Sequence, residues 1–100
     1  MKTIVMTGVT SGFGAQWLYE LDRENSVRFL ILARNRAKFE KMILTKPLKN
    51  STELIECDLL SLDSIDKAIS QIKLLANKVD ILINNAGLWS DSIYSESDDH

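Results

Sequence analysis

The residues Thr7-Gly8-Val9-Thr10-Ser11-Gly12-Phe13-Gly14 follow the apolar run Ile4-Val5-Met6 without a spacer. A strand that ends in a glycine-rich turn and opens directly into a helix restricts the fold more than any other local pattern here. The turn needs backbone conformations and a close chain approach that most side chains forbid. It also leaves the first N–H groups of the helix without partners, and with the helix dipole these form an anion site. Gly8 permits the tight turn, Gly12 lets backbone approach a pyrophosphate, and Gly14 lets helix and strand pack closely.

The remaining pattern extends this unit. Residues 2–6 read as a buried strand, and 12–24 as a helix with an apolar stripe of Phe13, Trp17, Leu18 and Leu21. Val27–Ala33 is a second strand rich in branched residues. Asn35 caps a short helix to about Leu44, with Phe39, Met42 and Ile43 inward and Lys38, Glu40 and Lys41 outward. Residues 53–57 form a third strand, less apolar, as suits an edge. Ser61 caps a long helix with Asp63 in its first turn and an inward face of Ile65, Ala68, Ile69, Ile72 and Leu75. Residues 79–83 form the fourth strand. Continuous apolar strands joined by helix-length crossovers predict an α/β fold, a Rossmann-like parallel sheet with helices on both faces and the order 3-2-1-4. About 1–87 is the expected ordered core. Residues 88–100 carry Asp91, Glu96, Asp98 and Asp99 without Lys or Arg, and read as a loop or the start of a further helix.

Composition excludes several classes. With 45% hydrophobic residues the chain is globular, and a net charge of −2 gives no basic footprint for nucleic acid. No apolar run approaches the ~18 residues of a membrane span. A strand beginning at Lys2 leaves no room for a signal peptide, and a single cysteine, Cys57, allows no internal disulfide and no metal cluster. A cytoplasmic setting is expected. Cys57, at a strand end, reads as a small buried apolar residue.

Three residues separate Gly8 from Gly12, whereas many dinucleotide fingerprints have one and then two between their glycines. Thr-Gly-x-x-x-Gly-x-Gly, followed about seventy residues later by Asn84-Asn85-Ala86-Gly87, resembles the short-chain dehydrogenase/reductase family. Asp58-Leu59 after the third strand matches in a third place, so the resemblance covers residues 2–87. It implies an NAD(P) cofactor. Thr10, Ser11 and Phe13 would line its phosphates and ribose, and Asp58 would accept from the adenine amino group, with the Leu59 backbone nearby. Asn84, Ala86 and Gly87 would run along the adenosine ribose, while the Asn85 side chain would tie the fourth strand to its neighbours.

An NAD-selective site places a carboxylate at the end of the second strand. Here Ala33 and Arg34 stand there, with Arg36 close behind. Arg34 can clamp a 2′-phosphate with charge-assisted bonds, so NADP is expected over NAD.

The family's chemistry is hydride transfer between the cofactor and an alcohol or carbonyl substrate. It uses a tyrosine, a lysine four residues later and an upstream serine; the lysine lowers the tyrosine pKa. Tyr19 is followed by Arg23 and Tyr94 by Asp98, so neither fits and no catalytic residue is expected in this chain. The chain reads as the N-terminal portion of a longer enzyme whose absent helices would form any homo-oligomer interface. Without the absent half, the strand with Ile81, Leu82 and Ile83 and part of the Ile4-Val5-Met6 strand should meet water, each large side chain forfeiting ~1.5–3 kcal/mol. The alternative is a non-catalytic nucleotide-binding or interaction module. Sugar-nucleotide epimerases share the fold class but lack the Asn-Asn-Ala-Gly run. The turn and the Ala33-Arg34 ending also resemble members acting on retinoids, steroids and other bulky carbonyls, by analogy alone.

Overall fold

The computed structural model describes residues 1–10 and 12–85. Seven elements alternate: β1 (Lys2–Thr7), α1 (Gly12–Leu21), β2 (Val27–Ala33), α2 (Arg36–Thr45), β3 (Ser51–Glu56), α3 (Leu62–Leu75) and β4 (Ile81–Asn84). The four strands form one parallel sheet in the order β3-β2-β1-β4, the Rossmann-like arrangement expected from the crossovers. In register, Thr7 lies beside Leu32 and Asn84, and Ala33 lies beside Glu56. Because every strand runs the same way, the chain leaves the sheet at one edge after Thr7, Ala33, Glu56 and Asn84.

Each sheet face buries its own cluster. Ile4, Met6, Phe29 and Ile31 meet Leu18 of α1 and Phe39 of α2. Val5, Leu30, Leu32 and Ile55 meet Cys57 and Ala68 of α3 on the other face. This two-sided burial explains the unbroken apolar strands. β3 is an edge strand, as its mixed composition predicted, with Ser51, Glu53 and Glu56 exposed.

Three expectations need correction. Phe13 and Trp17 do not join the core; they are 79% and 51% exposed. The inward face of α1 is Gly14 and Leu18, with Leu21 partly buried. The contact that sets this face is made by a glycine, which no apolar count detects. Ile69 is also exposed, one position off the α3 face that Ala68 buries. Finally, the Ile4-Val5-Met6 stretch of β1 does not meet water. Ile4, Val5 and Met6 are all buried, and the large apolar side chains left open on the strands are Ile81 and Leu82 of β4, among the described residues.

The ends of the elements are held by specific polar contacts. Asn35 and Ser61 accept at their caps from the N–H groups of Lys38 and Ser64. Beyond Leu21 the chain tightens into i→i−3 bonds, Arg23 to Glu20 and Glu24 to Leu21, before Ser26 turns at φ 58°. At the amino edge of the sheet, buried Asp22 accepts from the Lys49 and Asn50 N–H groups at 2.7 and 2.9 Å. Asn50 in turn accepts from the Val27 N–H and donates to the Glu24 carbonyl.

Asp80 performs the corresponding task for β4. Its carboxylate accepts from the Thr3 N–H at 2.8 Å, and its own N–H donates to the Thr3 carbonyl at 2.9 Å. The Thr3 hydrogen bond, aided by Lys78, holds the Asp80 carboxyl below its ordinary value. A depressed folded value means stability present at neutral pH and lost as pH falls through that value. The stability margin of the unmodified protein over Asp80→Asn should therefore be full at pH 7 and disappear below 3.8, the ordinary carboxylate value. Denaturant titrations at both pH values check this, and a margin independent of pH contradicts it.

Candidate functional site

The sequence-predicted residues with described positions gather along the carboxyl edge of the sheet. Gly8 adopts φ 66° and Gly12 φ 57°, a region that L side chains rarely enter. A Cβ on Gly14 would overlap the Gly8 carbonyl oxygen and lie 2.6 Å from its carbon, so α1 seats directly on the turn. A Cβ on Gly12 would meet nothing within 4 Å. Space is thus kept open at the middle glycine and closed at the last. That contrast fits a turn whose backbone faces a ligand at Gly12 and the protein itself at Gly14.

Thr7 joins this turn to the fourth strand. The residue is fully buried, and its hydroxyl donates to Asn84 Oδ1 at 2.7 Å. The Asn85 N–H donates back to Thr7 Oγ1 at 3.2 Å, and the Asn85 side-chain amide donates to the Thr7 carbonyl at 3.2 Å. The Asn85 role implied by the resemblance is therefore present, and its anchor is a threonine to which sequence reasoning assigned no task. The signal was its fixed place immediately before Gly8. The glycine turn and the Asn-Asn corner, 77 residues apart, share one polar joint.

At the other end of the edge, Asp58 and Leu59 are partly buried. Asp58 Oδ1 accepts from the Leu60 N–H at 3.0 Å, shaping the turn into α3, while its own N–H donates to Ser64 Oγ. Its Oδ2 has no hydrogen bond among the described residues and points to no structural duty. Leu59 packs against the α3-side cluster. Cys57 lies buried beneath them, and burial pushes its thiol pKa up, as an inert packing residue requires.

Arg34 and Arg36 are sharply different. Arg34 is exposed, with no hydrogen bond or ion pair among the described residues. Arg36 donates from Nε to Glu56 at 2.6 Å and lies 3.6 Å from Glu40. The Arg36–Glu56 pair was not foreseen, although opposite charges ending β3 and starting α2 could have suggested it. Thr10 is partly buried within the turn, and Phe13 stands exposed beside it. Ser11, Ala86 and Gly87 lie outside the described residues, as do Tyr94 and Asp98.

Tyr19 is a packing residue. Its hydroxyl donates to the Lys46 carbonyl at 2.7 Å, the Lys46 ammonium sits 4.4 Å from its ring centre, and burial raises its pKa. A tyrosine serving as a proton donor and acceptor near neutral pH needs the opposite shift. A cleft of about 1000 Å³ runs along the outer face of α1, past Phe13, Trp17 and Tyr19 to Lys49. It does not include the strand ends and shares only Phe13 with the residues predicted for the site. No helix among the described residues is long and apolar enough to cross a membrane.

Comparison with known proteins agrees with this architecture. The profile of the short chain dehydrogenase family matches residues 2–100, and the chain belongs to that family. It is 36% identical to human retinol dehydrogenase 13 over 90 residues, covering 87% of this chain and 27% of that protein. It is 32% identical to the NADP-dependent 3-hydroxy acid dehydrogenase of Schizosaccharomyces pombe, covering 87% of this chain and 34% of the relative. Among solved structures, a short chain dehydrogenase from Bacillus anthracis superposes with a TM-score of 0.70 at 31% identity, over 85% of this chain and 34% of that one. The chain thus spans about a third of the length of the proteins it matches.

Two substitutions separate ligand space from packing space. Gly14→Ala forces α1 off the turn and should prevent stable folding, read as loss of the cooperative unfolding transition. Gly12→Ala meets open space and strains only φ, by ~1 kcal/mol, so the protein should fold yet bind a dinucleotide at least ~10-fold more weakly. Unchanged cofactor affinity in Gly12→Ala contradicts the assignment of that space.

Proposed function

We propose that residues 1–100 are part of an NAD(P)-binding Rossmann domain and form the cofactor-holding portion of an oxidoreductase that prefers NADP. In this reading Gly8, Thr10, Ser11, Gly12, Phe13 and Gly14 hold the pyrophosphate side. Arg34 takes the 2′-phosphate, Asp58 and Leu59 take the adenine, and Asn84, Ala86 and Gly87 take the ribose. The observation that carries the proposal is the Thr7 joint, which unites the glycine turn and the Asn84–Asn85 corner on the edge where parallel sheets bind ligands.

When bound, the cofactor would supply hydride exchange with an alcohol or carbonyl carbon. The chain's own contribution is binding and orientation. Backbone N–H groups at the start of α1 meet negative charge without a formal countercharge. Arg34 has no competing partner among the described residues. Asp58 keeps one carboxylate oxygen free of hydrogen bonds among the described residues while the other fixes its position. No tyrosine among the described residues has the proton-transfer environment, so this portion alone is expected to be inactive. The NADP preference is supported by the free Arg34, and by a relative at 32% identity whose name is an NADP-dependent dehydrogenase. The substrate is proposed only as a small-molecule alcohol or carbonyl. The single free cysteine, Cys57, supports a cytoplasmic setting.

Arg34→Glu should weaken NADPH binding by ~1–3 kcal/mol and leave NADH binding unchanged. Fluorescence or calorimetric titration with both cofactors measures this. Equal affinity of the unmodified protein for the two removes the proposed preference, and failure to bind either removes the proposed function.

A further inference from the structure

The two arginines that follow β2 are held in opposite states, and the difference originates in β3. Arg34 has no partner among the described residues. Arg36, the first residue of α2, donates to Glu56 at 2.6 Å and approaches Glu40 at 3.6 Å. Glu56 is the last residue of β3 and lies in register with Ala33, the last residue of β2. The pair therefore bridges the β2–α2 turn to the end of β3, two residues before Asp58. It stands on the rim of the part of the edge assigned to the adenosine.

Neither partner has a structural commitment that requires the pair. Their side chains are 48% and 56% exposed, and among the described residues the one other ion-pair partner of either is Glu40, one turn along α2. Ion pairs this exposed hold weakly and exchange readily. A phosphate monoester carries more charge than a carboxylate and offers Arg the same two-point contact. Arg36 is thus a second cation after β2, two residues beyond Arg34, neutralised by a carboxylate that a phosphate can outcompete.

We infer that Glu56 is a positioning residue for cofactor selection: it restrains Arg36 as a latent second reader of the 2′-phosphate and so limits the preference for NADP over NAD. The inference rests on the cofactor reading above and adds a regulator of its selectivity. Glu56 touches no part of the cofactor in this account and acts only through Arg36.

The test is titration of the purified protein and three variants with NADPH and NADH at two salt concentrations. Glu56→Gln removes the charge and keeps the side-chain shape. It should tighten NADPH ~3–10-fold, leave NADH unchanged and steepen the salt dependence of NADPH binding, as release of a cation toward phosphate requires. In Glu56→Gln/Arg36→Ala the gain should be lost, and in Glu56→Asp, which keeps the charge, it should not arise. A merely structural role for Glu56 would change both cofactors together. An unchanged NADPH/NADH ratio in Glu56→Gln overturns the inference while leaving the cofactor reading intact. A gain that persists without Arg36 also overturns it, because Glu56 would then act by direct repulsion. If the unmodified protein binds neither cofactor, the parent reading fails and this inference fails with it.

Discussion

Helix α1 rests on the turn that feeds it with no room for one additional carbon atom. The missing Cβ of Gly14 lets the Gly8 carbonyl lie against the helix. That seating directs the first turn of α1 along the strand edge and leaves Gly12 facing open space. Thr7 then fixes the height of this arrangement relative to β4. Its hydroxyl and carbonyl are both used by Asn84 and Asn85, inside a fully buried environment where unmet polar groups are costly. Geometry at one corner therefore decides whether two distant motifs form a single edge or two unrelated turns.

The parallel sheet supplies the rest of the arrangement. All four strands release the chain on one side, so Arg34, Asp58 and the Asn corner need no further device to converge. The opposite edge carries the structural polar work. Asp22 and Asn50 join the end of α1 to the starts of β2 and β3, and Asp80 joins the approach to β4 to β1. Separating the two tasks keeps the carboxyl edge rich in groups with capacity to spare.

Most of the fold was legible because its signals are local. Unbroken apolar strands, Asn35 and Ser61 as caps, and crossovers of helical length specify element order, and handedness leaves little choice in the sheet. Strand and helix ends moved by one to three residues, most at the end of α1. What failed was legible only in three dimensions. Phe13 and Trp17 are large and apolar, yet Gly14 defines the buried face of α1, and a glycine carries no hydrophobic signal. Ile69 has the right spacing, yet Ala68 sits nearest the sheet. β1 stays covered because Val5 packs in the cluster that includes Ala68 and Ile4 and Met6 in that with Leu18. Of the site, the glycines and the Asn corner were readable as motifs. The Thr7 joint and the Arg36–Glu56 pair were not, since each depends on which residues the register brings side by side.

The central claim is that a backbone cradle at the start of α1 and the adjoining strand ends hold one dinucleotide. Backbone amide chemical shifts, followed by NMR as NADPH is added, address it residue by residue. Saturable changes are expected at residues 8–14, 33–35, 57–59 and 84–85, with Lys49, Asn50 and Asp80 at the opposite edge undisturbed. Saturable changes centred on that opposite edge or on the outer face of α1, with the glycine turn silent, would contradict it.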